Sequence, residues 1–132
     1  SFTVAGAREL LDALDRRVPL GLVTNGISGV QRSRLARSGL GDYFQAIVIS
    51  DEVGIQKPDP AIFTLALERV GATPTDRVIM IGDGLNSDIK GAIASGIDSC
   101  WVNLRGRPAD PEVTPTYTVD DLAGVYGVLG IG

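Results

Sequence analysis

Apolar positions along the chain follow two patterns, one typical of helices and one typical of buried strands. In the helical stretches, apolar side chains recur every three or four residues among polar ones, as in an amphipathic helix. The predicted helices are 7–14, 27–38, 63–70, 89–93 and 120–129. Short runs that are apolar throughout predict buried strands at 20–23, 46–50, 78–81 and 99–102. This alternation predicts an α/β fold, a doubly wound parallel sheet between two layers of helices.

The pattern also predicts which side of the second helix faces the core and where the last helix begins. In the second helix the apolar positions are Ile27, Val30 and Leu35, so we predict that this side faces the core. The stretch 105–115 contains prolines and a glycine and is predicted as a loop, after which the last helix begins at Asp120.

The composition describes one domain and excludes several classes of function. The 132 residues are 44% apolar and 21% charged, enough for a single domain with a hydrophobic core over 1–132. A net charge of −4 without a basic run argues against nucleic-acid binding, and no apolar stretch approaches the length of a membrane span. With no histidine and only Cys100, an internal disulfide and a Ser-His-Asp site are excluded. A single cysteine favours a cytoplasmic location.

The run 78–88 ends a strand with two acids. Gly82-Asp83 follows the apolar residues directly, and Asp88 comes five residues after the first acid. Two acids this close suit a hard cation such as Mg²⁺, which takes oxygen ligands. The alternative is a capping turn, in which Asp83 closes the turn and Ser87 or Asp88 caps the next helix.

Two further segments suit an anion. Thr24-Asn25-Gly26 ends a strand just before a helix, where backbone and side-chain donors can gather around a phosphate; the alternative is a glycine turn with a cap. Lys57 precedes Pro58, which favours an extended backbone, and Asp59-Pro60 follows as an N-cap with a first-turn proline. Lys57 is therefore either a fixed cation aimed at a phosphate or at Asp83, or an ordinary solvated lysine.

The predicted topology brings these segments together. Loops that follow parallel strands share one edge of the sheet, so an anion cradle, a lysine and a pair of acids are expected to converge there. That combination suits phosphate handling with a divalent metal. A dinucleotide site fits less well, because Gly82-Asp83-Gly84 lacks the third glycine of the G-x-G-x-x-G turn.

In this order and spacing, the motifs resemble those of the haloacid dehalogenase (HAD) superfamily of phosphatases and related hydrolases, with its Rossmann-like core. The resemblance implies that Thr24, Asn25 and Gly26 bind the phosphoryl group with Lys57. It also implies catalytic roles for Lys57, Asp83 and Asp88, with Asp83 and Asp88 at a Mg²⁺ site. The Gly82-Asp83 pair favours a Mg²⁺-dependent phosphatase over a dehalogenase.

The segments flanking these motifs narrow the resemblance further. Residues 39–44, 49–54 and 98–103 look most like the pyrimidine 5′-nucleotidase-like branch. The expected substrate is therefore a small phosphorylated metabolite, with nucleotides among the candidates.

One motif of the family has no counterpart in this chain. The family's nucleophile is the first acid of an Asp-x-Asp motif on its first strand, and no Asp-x-Asp occurs among the 132 residues. We therefore expect an N-terminally truncated core, without the first central strand, the nucleophile and the cap. Such a chain would be inactive alone and would bind Mg²⁺ weakly or not at all.

The missing Asp-x-Asp motif also suggests an alternative function and leads to an expectation about the structure. The alternative to a phosphatase core is a non-catalytic, truncated module that binds anions or a partner; a dehalogenase-type hydrolase is the other. The strands ending at Thr24 and Gly82 are expected either to pair directly or to borrow a strand from another copy, so that the chain self-associates through exposed edges.

Overall fold

The structure is a computed structural model of the chain, and it describes residues 5–73 and 75–131. Its helices are α1 (Ala7–Leu14), α2 (Ser28–Ser38), α3 (Ser50–Val53), α4 (Pro60–Val70), α5 (Lys90–Ala94) and α6 (Val125–Leu129). Its strands are β1 (Gly21–Thr24), β2 (Ala46–Ile49), β3 (Ile79–Gly82), β4 (Asp98–Val102) and β5 (Tyr117–Val119). Two 3₁₀ turns, Gly41–Tyr43 and Leu122–Gly124, and a π-helical turn, Leu85–Ile89, complete the order.

The strands form two parallel sheets. β1 pairs with β2 from Gly21↔Ala46 to Thr24↔Ile49, and β4 lies between β3 and β5. Within the described residues, β1 and β3 are not hydrogen-bonded to each other. The expectation that these two strands pair directly is therefore wrong, whereas a strand borrowed from another copy stays a prediction.

Apolar side chains on the two faces of the sheets form separate clusters, which gives three layers. On one face, Leu10 and Leu14 of α1 and Val125 of α6 pack with Cys100 and Val102 of β4. On the other, α4 contributes its three most buried side chains to a cluster with a residue of β2; its members are Val48, Ile62, Phe63 and Ala66. The fold is thus the predicted α/β/α arrangement of parallel strands and flanking helices.

Both clusters extend across the boundary between the two sheets. Leu20, which precedes β1, packs against the same cluster as Ile79 and Ile81 of β3, and Val23 of β1 shares the opposite cluster with Met80 of β3. Yet every residue of β3 is only half-buried, whereas β4 is buried over four of its five residues. Side chains therefore hold the sheets side by side while the facing edges keep access to solvent.

Helix boundaries follow the local signals in most cases. Asp59 caps α4 by accepting a hydrogen bond from the Ala61 amide at 3.0 Å, with Pro60 in the first turn. Gly39 and Gly71 end α2 and α4 with φ of 70° and 77°, the left-handed conformation that glycine adopts without strain.

Three sequence expectations were wrong in detail. Of the predicted apolar face of α2, only Leu35 is buried. Val30 is exposed because the inward face of the helix carries Gln31 and Leu35, and Ile27, also exposed, lies before the first helical residue. The segment after the loop 105–115 forms β5, a strand that the apolar pattern did not predict. The last helical segment starts at Leu122 and is capped by Asp121 rather than by Asp120.

No helix in the described ranges has both the length and the apolar character needed to cross a membrane.

Candidate active site

The residues predicted for the site follow the carboxyl ends of three strands, and some of them are in contact. Thr24 ends β1, Lys57 lies in the loop between α3 and α4, and Asp83 directly follows β3. The predicted convergence is confirmed for Asn25, Lys57 and Asp88, which form one hydrogen-bonded series. This series joins the end of β1 to the turn that follows β3.

The Asn25 side chain holds the backbone of Lys57 from both sides. Its Nδ2 donates to the Lys57 carbonyl at 3.1 Å, and its Oδ1 accepts from the Lys57 amide at 2.9 Å. The peptide bond from Lys57 to Pro58 is cis. Two bonds in opposite directions leave the Lys57 backbone little freedom, so Asn25 fixes the point from which the Lys57 side chain extends.

The Lys57 ammonium pairs with the buried Asp88 carboxylate. Nζ lies 2.5 Å from Oδ1, and only 11% of the Lys57 side chain and 7% of the Asp88 side chain are exposed. The second oxygen, Oδ2, accepts from the Gly84 amide at 3.1 Å. Lys57 is therefore not the solvated surface lysine of the alternative interpretation, and its ammonium pairs with Asp88 rather than with Asp83, the acid named from the sequence.

The Asp83 carboxylate differs from that of Asp88 in its surroundings. Asp83 is exposed, and within the described residues its carboxylate accepts no hydrogen bond, while its backbone carbonyl accepts from Trp101 Nε1 at 3.1 Å. Trp101 is only 3% exposed, so a rigid part of the core holds the backbone of this turn. The Asp83 oxygens are thus free to bind a cation in a turn of fixed position.

The close approach of β3 to the π-helical turn requires glycine at position 82. A Cβ on Gly82 would lie 2.3 Å from Asp88 Oδ2, well inside van der Waals contact. π-Helical turns are uncommon and are often found at functional sites. Here the extra residue of the turn brings Asp88 back under the end of β3, where it reaches Lys57.

The Thr24–Gly26 turn is held by two residues from neighbouring elements. Gly26 has φ of 145°, and its amide donates to Ser50 Oγ at 2.9 Å. Gln31 Nε2 donates to the Asn25 carbonyl at 3.1 Å, while Thr24 Oγ1 makes only a long contact of 3.3 Å with the same carbonyl. The weakly engaged Thr24 hydroxyl is therefore available to a ligand.

Gln31 was not among the residues predicted from the sequence. Polar residues are frequent in α2, and nothing in a single sequence marks this one as buried. Its inward orientation depends on the carbonyl that it meets, which only the folded turn supplies.

An ion pair beside the site fixes α2 on α3. Arg32 donates to Glu52 through Nε at 3.0 Å and through Nη2 at 2.8 Å, and Ser28 Oγ donates to the same carboxylate at 2.5 Å. The hydrogen bond from Arg32, followed by that from Ser28, lowers the pKa of Glu52 from 4.5 to about 2. Asp51 also accepts from the Ser28 amide at 2.9 Å, so α3 supplies the cap that α2 lacks.

An open groove of about 430 Å³ lies next to the turn, lined by Gly26, Ser50, Asp51, Gly54, Ile55 and Gln56. Its size is in the range of small-molecule sites. It lies between the Thr24–Gly26 turn and the loop that carries Lys57, so a ligand bound by these segments would have space for its remaining atoms.

The geometry gives the edge both an anion-binding and a cation-binding part. One ammonium and one free hydroxyl can bind an anion, and one exposed carboxylate can bind a cation. Among the described residues, no group of three or more acidic, cysteine or histidine side chains could hold a metal ion.

The chain is similar to several proteins of one hydrolase family. A family model described as haloacid dehalogenase-like hydrolase matches residues 1–96. Pyrimidine 5′-nucleotidase YjjG of Escherichia coli is 45% identical over 89% of this chain and 52% of its own length. The phosphoserine phosphatase of Thermus thermophilus is 41% identical over 89% of this chain and 47% of its own length.

A solved structure has the same fold. The putative HAD-hydrolase YfnB from Bacillus subtilis, described as bound to magnesium, superposes with a TM-score of 0.88 at 38% identity, over 97% of this chain and 56% of that one. The chain thus spans about half the length of the relatives that it matches.

Proposed function

The chain belongs to the haloacid dehalogenase-like hydrolase family, and on that premise we propose that it is the core of a Mg²⁺-dependent phosphatase for small phosphomonoesters. The observation that carries the proposal is the fixed ammonium of Lys57. The ammonium pairs with the buried Asp88 carboxylate, and the Asn25 side chain holds the Lys57 backbone, at the strand edge where the Thr24 hydroxyl is available. A held cation beside a free hydroxyl is suited to the charge and the oxygens of a phosphoryl group.

Each residue has a separate part in the proposed site. Thr24 Oγ1 and the Asn25 amide donate to phosphoryl oxygens, and Lys57 offsets their charge. Asp88 holds the ammonium of Lys57. One Asp88 oxygen accepts from Lys57 and the other accepts from Gly84. We therefore propose that Asp88 supports the metal site indirectly, by orienting Lys57 or a metal-bound water.

Asp83 is the proposed direct ligand of Mg²⁺. Its exposed carboxylate, free of hydrogen bonds from the described residues, fits a hard cation that prefers oxygen ligands and keeps several waters. When bound, Mg²⁺ supplies positive charge next to the phosphoryl group. One carboxylate is too few for tight binding, so this chain alone would bind Mg²⁺ weakly or not at all.

The nucleophile of the proposed reaction is an Asp outside residues 1–132. No Asp-x-Asp occurs in the chain, and the chain spans about half the length of its relatives. We propose that a segment carrying that motif adds a strand between β1 and β3, which are not paired with each other in the described structure and of which β3 is half-buried along its length. Without it the chain is inactive, and another copy could occupy the same edges by self-association.

The proposed substrate class is a small phosphorylated metabolite. Relatives are named pyrimidine 5′-nucleotidase and phosphoserine phosphatase, so nucleotides and phosphorylated amino acids are the first candidates. The open groove of about 430 Å³ beside Gly26 leaves space next to the turn for the organic part of such a substrate. We also propose a cytoplasmic location, because the single cysteine, Cys100, is buried and unpaired.

The test uses a polypeptide that contains residues 1–132 together with the segment that carries the Asp-x-Asp motif. Phosphate release from a panel of nucleoside monophosphates, phosphoserine and sugar phosphates is measured with Mg²⁺ and with EDTA. Release that requires Mg²⁺ and falls about a hundredfold or more in Lys57→Met and Asp83→Asn is the expected result. No release from any phosphomonoester rules out the phosphatase, and halide release from a 2-haloacid instead identifies a dehalogenase.

A further inference from the structure

A buried side chain outside the predicted motifs holds the turn at the end of β1. Gln31 lies on α2 with 8% of its surface exposed, and its Nε2 donates to the Asn25 carbonyl at 3.1 Å. Burying a carboxamide costs free energy unless it is hydrogen-bonded, and an apolar residue would fill an inward position of a helix more cheaply. The polar residue at this position therefore needs a reason beyond packing.

The turn lies directly against the Gln31 carboxamide. A Cβ on Gly26 would be 2.3 Å from Gln31 Nε2 and 3.2 Å from its Cδ. The peptide between Asn25 and Gly26 is thus fixed on one side by Gln31 and on the other by Ser50, which accepts from the Gly26 amide. With its peptide fixed, the Asn25 side chain is directed at Lys57, which it holds by two hydrogen bonds.

We propose that Gln31 is a positioning residue for the candidate active site. It acts through the Asn25 carbonyl on the Asn25 side chain, through that side chain on the Lys57 backbone, and so on the place of the Lys57 ammonium. We call this series of contacts, Gln31–Asn25–Lys57–Asp88, the relay. It runs from α2 to the loop before α4 and ends at Asp88, in the turn that follows β3. The link to phosphate chemistry rests on the proposed function; the relay itself does not.

The decisive variant is Gln31→Met, which keeps an unbranched neutral side chain of similar length but cannot donate a hydrogen bond. Its matched control is Gln45→Met. Gln45 Oε1 accepts from the Leu20 amide before β1, so the control also loses one carboxamide and one hydrogen bond, at the opposite end of the same strand pair. Gln31→Glu, which can accept but not donate at this position when ionised, is the second variant if the methionine disturbs folding.

Two measurements on the isotope-labelled 132-residue chain separate the relay from the function. The first is the NMR chemical shifts of Lys57 Nζ and Cε, which report the surroundings of the ammonium; amide spectra confirm the fold of each variant. The second is a titration with inorganic phosphate. A purely structural role would lower stability without moving the Lys57 signals of the folded state.

We expect the Lys57 signals to move in Gln31→Met and to stay in place in Gln45→Met. Phosphate affinity should fall about fivefold in the first variant only, the effect of one lost hydrogen bond. Unchanged Lys57 signals in folded Gln31→Met and Gln31→Glu overturn the relay, whatever the titration shows. If the Lys57 signals move but phosphate does not bind the parent chain, the relay is supported, and the failure belongs to the proposed function.

Discussion

The Lys57 ammonium lies 2.5 Å from the Asp88 carboxylate, and this ion pair links the two parallel sheets of the domain. Lys57 is held by Asn25 at the end of β1, and Asp88 is held by Gly84 after β3. β1 and β3 are not hydrogen-bonded to each other in the described structure. At this edge, polar contact between the β1–β2 sheet and the β3–β4–β5 sheet therefore depends on the Lys57–Asp88 ion pair. A residue proposed for catalysis thus also has a structural role.

Removing one partner of this pair should destabilise the protein strongly. Lys57→Met leaves the Asp88 carboxylate buried and unpaired, and we expect a loss of about 3 kcal/mol in the free energy of unfolding. In the double variant Lys57→Met/Asp88→Asn no buried charge remains, and the amide oxygen can still accept from Gly84. Urea denaturation should therefore show the double variant to be more stable than the single one. Additive losses would contradict a direct interaction between the two side chains.

A methyl group at position 82 should damage the same pair without changing any charge. In Gly82→Ala the new Cβ meets Asp88 Oδ2 at 2.3 Å, so Asp88 has to move from Lys57 or the strand has to shift. We expect a loss of about 1–3 kcal/mol from overpacking, measured by urea denaturation.

The matched control is Gly29→Ala in α2. A Cβ there has nothing within 4 Å, and alanine stabilises a helix over glycine by about 0.5–1 kcal/mol. The two glycine-to-alanine changes should therefore have opposite signs. Equal effects would show that the contact with Asp88 relaxes at no cost.

Much of the site was predictable because it depends on topology rather than on side-chain packing. Apolar runs located the strands, and the rule that parallel strands end at one edge brought Asn25, Lys57 and Asp88 together before any contact was known. Gln31 was missed because a helix with many polar residues does not show which one faces inward. β5 was missed because Tyr117–Val119 is short and mostly exposed, so its sequence has no apolar run.

The pH dependence of stability should contain a contribution from Glu52. Its pKa is about 2 in the folded protein, below the usual 4.5, chiefly because Arg32 and Ser28 donate to the carboxylate. A lowered folded pKa stabilises the protein above the unfolded pKa, and this contribution is lost as the pH falls from about 4.5 through about 2. The stability advantage of the parent over Glu52→Gln should therefore be present at pH 6 and shrink toward pH 2.

Urea midpoints between pH 6 and pH 2 measure this difference. Glu112→Gln is the control, since Glu112 is exposed and forms no ion pair in the described parts of the chain. A difference between the parent and Glu52→Gln that stays constant down to pH 2 would show that Glu52 is not held by Arg32 in solution.

The facing edges of β1 and β3 should accept an added strand. Leu20 and Val23, just before and within β1, pack in the same two clusters as the side chains of β3, yet β3 is half-buried along its length, as expected for a strand that lacks one neighbour. We expect the β3 amides that are not bonded to β4 to exchange with solvent faster than those of β4. A peptide of apolar residues ending in Asp-x-Asp should slow that exchange about tenfold at ten times its Kd.

Hydrogen exchange with and without the peptide measures this protection, and a peptide of the same composition in scrambled order is the control. Protection by the ordered peptide alone supports a strand site between β1 and β3, because side-chain alternation and backbone pairing then both have to fit. Slow exchange that appears without peptide as the protein concentration rises identifies a second copy as the occupant. Exchange that stays fast with the ordered peptide, with the scrambled peptide and at high protein concentration would show that the two edges do not accept a strand. The proposed entry of the nucleophile segment between them would then be wrong.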